Sequence, residues 1–406
     1  MSFNPIRNSV LLKYWRNPAK LITFTVEEWE LFFRQARACK LAAQWAYKIA
    51  QLEEFDHLPD PIQQAFEAAW TNAEHHQRAI LWEARQVARF LDPLGCKKVL
   101  LKGAAYMAMD LEFAQGRLIS DLDILVPKDK INEAEEILLK NGWATGKYKP
   151  YDQRYYREWM HELPPLLNLK RGMTLDMHHN ILPETSRRHI NIDPLLTAAV
   201  PIVDLDDSPL ESLGNIDPLD PTVSPTLAHL DSDSCSWYAF QDVDLVIHAA
   251  VHMFQEGEIA GDSLRDIVDI DGLIRFYSQA SDDFQTRLLD RAVELKLDRP
   301  IYYAIHFAHE ILDTPLNPEA AAKLRRLAPG PFTRSAMDAL VVKSLTPPQI
   351  GFPGYDTSFA RFLLYIRSHY GRMPLNLLIP HLWHKTFPKD DLPIPDNDGQ
   401  ELQQEL

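Results

Sequence analysis

Two aspartates, two residues apart, are the strongest candidates for chemistry in this 406-residue chain. Asp121 and Asp123 lie in the stretch 118–127, whose alternating residue types predict a β-strand. Because side chains alternate between the two faces of a strand, both carboxylates lie on one face, about 7 Å apart. They repel each other unless a cation lies between them, and oxygen ligands favour Mg²⁺ or Mn²⁺. We therefore expect a hard-metal site, with an edge strand whose outer face is solvated as the alternative.

The segment that precedes this strand has the pattern of an anion site. Residues 96–106 predict a short strand that ends at Lys102 and Gly103 and continues into a helix. A helix that begins at the end of a strand presents backbone N–H groups to anions. A phosphate-binding turn is therefore expected just before the two acidic residues.

A third carboxylate lies on a later predicted strand, residues 173–179, which follows a strand at 166–170 through a turn at Arg171 and Gly172. Alternation places Asp176 and His178 on the same face of that strand. Holding two cations requires a third carboxylate ligand, and Asp176 is the candidate. His178 is a candidate for orienting a ligand or a phosphate. A solvated aspartate and a histidine on a half-buried face are the alternatives.

The surrounding elements predict an α+β fold in which helices enclose a small mixed sheet. Thr25 and Glu28 form a capping box, which predicts a helix with apolar positions as far as Ala46. A second helix is predicted from Ile62 to Leu91. The predicted divisions are an N-terminal helical scaffold, an α/β core, an acidic Pro-rich connection, an all-α C-terminal domain and an acidic tail, at 1–93, 94–182, 183–239, 240–387 and 388–406.

The C-terminal helices carry a second group of possible metal ligands. His248 and His252 are four residues apart on one predicted helix, and Asp266 and Asp269 lie on the next. Histidines at this spacing can bind zinc, although no H-E-x-x-H motif surrounds them. The alternatives are buried, hydrogen-bonded packing and a metal phosphohydrolase centred on these four residues.

Composition narrows the class of protein. A hydrophobic fraction of 46% and a charged fraction of 24% are ordinary for a globular protein, and no apolar run is long enough to cross a bilayer. We expect a cytoplasmic protein, since no secretory signal is evident and the three cysteines suggest neither a disulfide framework nor a zinc site. A net charge of −15 argues against general DNA binding.

Two stretches of this sequence resemble the uncharacterised bacterial nucleotidyltransferase family of the polymerase-β-like superfamily. They are the run from Lys102 through the Asp121–Val126 strand and the run Leu175–His178, with weaker support from the helices at 244–269. The resemblance covers roughly 94–312. It implies that Gly103 is the glycine of the triphosphate-binding turn and that three aspartates hold two divalent ions. Ala104 stands where the superfamily has serine, and the segment between Gly103 and Asp121 is longer than usual.

The resemblance implies transfer of a nucleotidyl group from an NTP to an acceptor of unknown identity, with release of pyrophosphate. Asp121, Asp123 and Asp176 are the expected catalytic and Mg²⁺ (or Mn²⁺) ligands, and Asp176 could also take the acceptor's proton. The expected nucleotide-binding residues are Lys102, Gly103, Arg117, Ser120 and His178. The alternative is a degraded module that binds nucleotide or protein without catalysis.

Overall fold

The computed structural model describes residues 3–202, 237–256, 259–348 and 355–386. The predicted acidic tail at 388–406 lies outside these ranges. Within them, helices before the first strand are α1 (Asn4–Arg7), α2 (Val26–Ala38), α3 (Ala42–Ala50) and α4 (Asp60–Leu91). Helices between strands are α5 (Lys102–Ala108), α6 (Ile131–Lys140), α7 (Pro150–Arg154) and α8 (Asp193–Ala198). Helices after the last strand are α9 (Asp242–Val251), α10 (Leu264–Ala280), α11 (Phe284–Glu294), α12 (Asp298–Leu312), α13 (Pro318–Leu327), α14 (Pro331–Leu345), α15 (Tyr355–Arg372) and α16 (Leu375–Thr386).

One mixed sheet lies at the centre of the described chain. Its strands in chain order are β1 (Lys98–Leu100), β2 (Asp121–Leu125), β3 (Trp143–Thr145), β4 (Leu166–Asn168), β5 (Thr174–His178), β6 (Val200–Pro201) and β7 (Trp237–Ala239). Their order across the sheet is β3-β4-β5-β2-β1-β7-β6. The β2–β5 and β1–β7 pairs are parallel and the other pairs are antiparallel. The predicted α+β fold with a mixed sheet and flanking helices is confirmed.

The predicted helix from Thr25 to Ala46 is two helices. The capping box is present, because the Glu28 amide donates to the Thr25 hydroxyl and the Thr25 amide donates to the Glu28 carboxylate. The helix ends early because Lys40 has a φ of 57°, in the left-handed region that stops an α-helix. The chain then turns into α3, and this break places Lys40 at the candidate site described below.

The sheet extends beyond the range predicted from the sequence. Helix α8 and strands β6 and β7 fall within 183–239, which was expected to hold little regular structure. Strand β7 pairs with β1, and the Trp237 indole N–H donates to the Ala84 carbonyl of α4 at 2.9 Å. Residues 203–236, which hold most of the predicted Pro-rich connection, lie outside the described chain.

Buried apolar side chains from the N-terminal helices, the sheet and the C-terminal helices form one continuous cluster. Phe32, Ile124 and Phe307 represent the three regions, and each is 0% exposed. Because all three regions contribute to this core, the core does not mark where one domain ends and the next begins. The proposed division into domains stays a prediction. None of the helices in the described ranges is both long enough and apolar enough to cross a membrane.

Candidate active site

The structure brings the three predicted aspartates together. Asp121 and Asp123 alternate with the buried Leu122 on β2, as a strand requires. The parallel register of β2 with β5 places Asp176 directly beside Asp123. One carboxylate oxygen from each of the three lies within 4.8 Å of the others. This arrangement has the donor set and spacing of a site for a hard divalent cation.

Asp123 is the buried, ionised member of this group. Its Oδ1 atom accepts from the Lys102 ammonium at 2.7 Å and lies 3.2 Å from Nε2 of His178. Burial alone would raise the pKa of Asp123, but Lys102 and His178 outweigh burial and hold that pKa well below its ordinary value. The same contact raises the pKa of Lys102, although burial opposes the rise. Asp123 and Lys102 therefore form a charged pair.

Asp176 lacks a compensating charge of this kind. Burial and the neighbouring Asp123 raise the pKa of Asp176 to about 8. Its Oδ1 atom is buried and has no hydrogen-bond partner in the described chain. A buried carboxylate oxygen without a partner is costly, and a divalent cation shared with Asp121 and Asp123 would satisfy it. The residues present thus fit the metal that the sequence predicts.

The expected phosphate turn differs in detail from its prediction. The unusual backbone is at Lys102, whose φ is 48°, rather than at Gly103. Gly103 is required for space, because a Cβ atom there would lie 2.0 Å from Nη1 of Arg117 and 2.8 Å from Cδ1 of Ile119. The glycine therefore lets a guanidinium lie directly against the start of α5.

Arg117 is buried, and its guanidinium is already paired. Nε of Arg117 donates to Oδ2 of Asp269, on α10, at 2.8 Å. This pair fixes the loop before β2 against the C-terminal helices. The predicted role of Arg117 on phosphate stays a prediction.

Ser120 is exposed, and its hydroxyl donates to Oδ1 of Asp121 at 3.0 Å. This contact can orient the Asp121 carboxylate. A nucleotide contact by Ser120 stays a prediction.

A cavity of about 230 Å³ adjoins the aspartates. Its lining includes Lys102, Gly103, Arg117, Ser120, Asp121 and Asp123 together with Lys40, Arg265, Asp266 and Asp269 from outside the α/β core. Basic and acidic side chains thus share its walls, a composition suited to a charged ligand accompanied by cations.

Sequence reasoning did not single out Lys40 as a site residue. Lys40 lies at the break between α2 and α3, more than 60 positions before Lys102, and pairs with Asp262 at 3.2 Å. No local motif marks it, because only the turn of the chain at that residue brings it to the cavity.

A second cluster beyond His178 was also missed. One ring nitrogen each of His161 and His178 and one carboxylate oxygen of Glu162 lie within 4.8 Å of one another. His161 and Glu162 follow a π-helical turn, Tyr155–Trp159, and carry no recognisable motif. Their adjacency to His178 could not be seen from spacing along the chain.

The alternative centre on the C-terminal helices does not assemble. His248 is buried, and its ring packs edge-on against Phe240 with centroids 5.7 Å apart. Burial lowers the pKa of His248 to about 3. Asp269 is paired with Arg117. Within the described ranges, the groups of side chains close enough to share a metal include none of His248, His252, Asp266 and Asp269. The described residues therefore give the phosphohydrolase interpretation no metal group, although His252, Asp266 and Asp269 line the same cavity as the aspartates, and it stays a prediction.

Comparison with known proteins bears on the identity of the chain. The profile of the family described as "Uncharacterised nucleotidyltransferase" matches residues 25–313. No curated protein and no solved structure matches the chain. The family match includes the three aspartates, the Lys102–Gly103 turn and helices α9 to α12. Since it spans more than half of the sequence, the protein belongs to the uncharacterised nucleotidyltransferase family.

Proposed function

We propose that this protein transfers a nucleotidyl group from an NTP to an acceptor hydroxyl, amine or phosphate, with release of pyrophosphate. The observation that carries the proposal is the pairing of Asp123 with Asp176 across two parallel strands, with a buried carboxylate oxygen left without a partner. Family membership supports the general reaction.

The three aspartates would hold Mg²⁺ or Mn²⁺ through their clustered oxygens. When bound, such ions neutralise the triphosphate and increase the acidity of an acceptor hydroxyl. Asp123 is kept ionised by Lys102 and His178, so it is ready to act as a ligand at neutral pH.

Asp176 is the proposed proton acceptor. Burial and the neighbouring Asp123 raise the pKa of Asp176 to about 8, and a divalent cation held by the three aspartates would favour the ionised carboxylate that can accept a proton. The proton would pass from the acceptor to a carboxylate oxygen of Asp176 as the acceptor attacks the α-phosphate. The bond between the α-phosphorus and the α,β-bridging oxygen would break as the new bond forms, and pyrophosphate would leave with that electron pair, while the transferred phosphate keeps one negative charge.

Lys102, Gly103, Arg117, Ser120 and His178 are the proposed residues around the nucleotide. Lys102 and Arg117 line the cavity beside the aspartates, and Arg265 adds a third buried or partly buried cation from α10. Cations in a site sheltered from water stabilise the charge that develops on the phosphates in the transition state.

A second candidate function is nucleotide binding without turnover. The Lys102 ammonium bonds the same carboxylate that would bind a cation, which favours a site already neutralised by the protein itself. Isothermal titration with each NTP followed by a pyrophosphate-release assay separates the two functions. Tight NTP binding with no pyrophosphate release for any acceptor favours nucleotide binding without catalysis.

The direct test is incubation with NTPs labelled at the α-phosphate and a cell lysate, in Mg²⁺ and in Mn²⁺. We expect a labelled protein, RNA or small molecule with the intact chain and none with Asp123→Asn. Asp129→Asn is the matched control, because Asp129 is exposed just after β2. Labelling that survives Asp123→Asn would contradict the proposal. The cytoplasm stays the predicted location of the reaction.

A further inference from the structure

Backbone hydrogen bonds hold the His161–Glu162–His178 cluster against β5. The His179 amide donates to the His161 carbonyl at 2.8 Å, and the Leu163 amide donates to the Met177 carbonyl at 2.9 Å. Glu162 and His178 form an antiparallel bridge. The chain therefore runs alongside β5, and the two histidine rings lie with centroids 5.2 Å apart.

One ring nitrogen of each histidine lies near a carboxylate oxygen, and for His178 this contact is a hydrogen bond. Nε2 of His161 lies 3.2 Å from Oε1 of Glu256, and Nε2 of His178 lies 3.2 Å from Oδ1 of Asp123. Nδ1 of each ring is buried and makes no hydrogen bond within the described ranges, and for His178 the nearby Oε2 of Glu162 lies 3.4 Å away. Both imidazoles are only 3–4% exposed. Two buried ring nitrogens in one cluster therefore need an electron-pair acceptor or a proton.

The carboxylates make a bound cation the favoured occupant. Histidines that ligate a metal usually donate their other ring N–H to a carboxylate, which fixes the ring and increases its basicity. Glu256 and Asp123 occupy that position on the two rings. Glu162 provides an oxygen 3.4 Å from Nδ1 of His178, and its side chain is 22% exposed, which leaves a route to solvent. Two imidazoles and one carboxylate form the three-ligand set of many open zinc sites.

We propose that His161, Glu162 and His178 form a second metal site, selective for Zn²⁺ or a similar transition-metal ion rather than Mg²⁺. Imidazole nitrogen suits zinc, whereas the all-oxygen aspartate group suits magnesium. His178 joins the two sites, because its other nitrogen contacts Asp123. An ion at the histidine site would fix the ring that helps to position Asp123. This site does not depend on the proposed nucleotidyl transfer.

Co²⁺ is a suitable probe, because it replaces Zn²⁺ and absorbs visible light. The full chain is stripped with a chelator, titrated with Co²⁺ at pH 7.5, and then titrated with Zn²⁺ as a competitor. We expect saturable visible absorption that Zn²⁺ abolishes and that a large excess of Mg²⁺ leaves in place. Folded wild-type protein that takes up no Co²⁺ would overturn the proposal and would indicate that the rings bind protons instead.

Variants assign the ligands. His161→Gln and Glu162→Gln should each weaken Co²⁺ binding by at least about 100-fold, and Glu256→Gln by about 10- to 100-fold. Asp121→Asn/Asp176→Asn should keep the signal, because it alters only the all-oxygen group. Loss of the signal in that variant, or unchanged affinity in Glu162→Gln, would overturn the proposal.

His306→Gln is the matched control. His306 is also buried and bonds a carboxylate, with Nε2 2.9 Å from Oδ1 of Asp338, but it lies on α12 outside this cluster. The Co²⁺ affinity of the His306→Gln variant should equal that of wild type. Far-UV circular dichroism checks folding of every variant. The partly exposed Glu162→Gln keeps the test decisive if a buried histidine variant does not fold.

Discussion

Gly103→Ala tests whether a glycine is needed at the start of α5 to leave space for the Arg117 side chain, rather than to allow an unusual backbone conformation. The new Cβ would lie 2.0 Å from Nη1 of Arg117, so the guanidinium must move. Arg117 is buried and paired with Asp269, and the movement disturbs that pair. We expect the free energy of unfolding to fall by about 3 kcal/mol, between values typical of an overpacked core and of a broken buried ion pair.

The cost should depend on the arginine. In an Arg117→Ala/Asp269→Ala background no charge is left unpaired, and of the three atoms nearest to the new methyl group Cδ1 of Ile119, at 2.8 Å, remains. The expected cost of Gly103→Ala there is about 1 kcal/mol, which gives a coupling of about 2 kcal/mol. Urea unfolding of the four proteins, followed by circular dichroism, measures both costs. Equal costs in the two backgrounds would refute the reasoning.

Three further variants test other parts of the structure. Burial raises the pKa of Asp266 to about 6, so ionising this carboxyl costs the folded state up to about 3 kcal/mol as pH rises from 4 to 7. In urea unfolding, Asp266→Asn should therefore be more stable than wild type at pH 7 and nearly equal to it at pH 4. The reverse order would contradict this reasoning. Lys102→Met removes the ammonium group that lies 2.7 Å from Asp123. Electron paramagnetic resonance should then show the Mn²⁺ affinity of the protein without nucleotide rising roughly tenfold. An unchanged affinity would contradict the idea that Lys102 and the cation compete for the Asp123 carboxylate. Glu83→Gln removes the charge on a carboxylate that accepts bonds of 2.7 and 2.6 Å from Arg171, and its amide oxygen can keep one of the two. Urea unfolding should show the free energy of unfolding lowered by about 2 kcal/mol, and an unchanged value would contradict a stabilising role for the pair.

The sequence was most informative where a local pattern decides structure. Alternation of residue types predicts that Asp121 and Asp123 share a face, because a strand permits no other arrangement. The same reasoning predicts the strand that carries Asp176. The adjacency of Asp123 and Asp176 depends on which strands pair and in what register, and that follows from packing of the whole sheet.

Residues that reach the site from distant segments could not be predicted in this way. Lys40 arrives because α2 ends at a left-handed residue, and a lysine there carries no typical signal for that conformation. Glu256 lies in a π-helical turn after α9, and His161 follows another such turn. Helical periodicity does not anticipate these turns, so the second cluster was not visible in the sequence.

The same limit explains why the contacts of two predicted nucleotide-binding residues, Gly103 and Arg117, could not be foreseen. A glycine after a strand is typical of a phosphate turn, but the sequence does not show that a guanidinium lies against Gly103. An arginine near a D-x-D motif is suited to phosphate, but its buried partner, Asp269, is about 150 residues away. Long-range ion pairs depend on tertiary packing, which spacing does not encode.

The most direct test of a shared cation among Asp121, Asp123 and Asp176 is Mn²⁺ titration, followed by electron paramagnetic resonance, with a nonhydrolysable ATP analogue present. We expect wild type and Asp129→Asn to bind Mn²⁺ alike, and Asp176→Asn to bind it at least about tenfold more weakly, because one of three carboxylate ligands is lost. Equal Mn²⁺ affinity in Asp176→Asn and wild type would contradict the account.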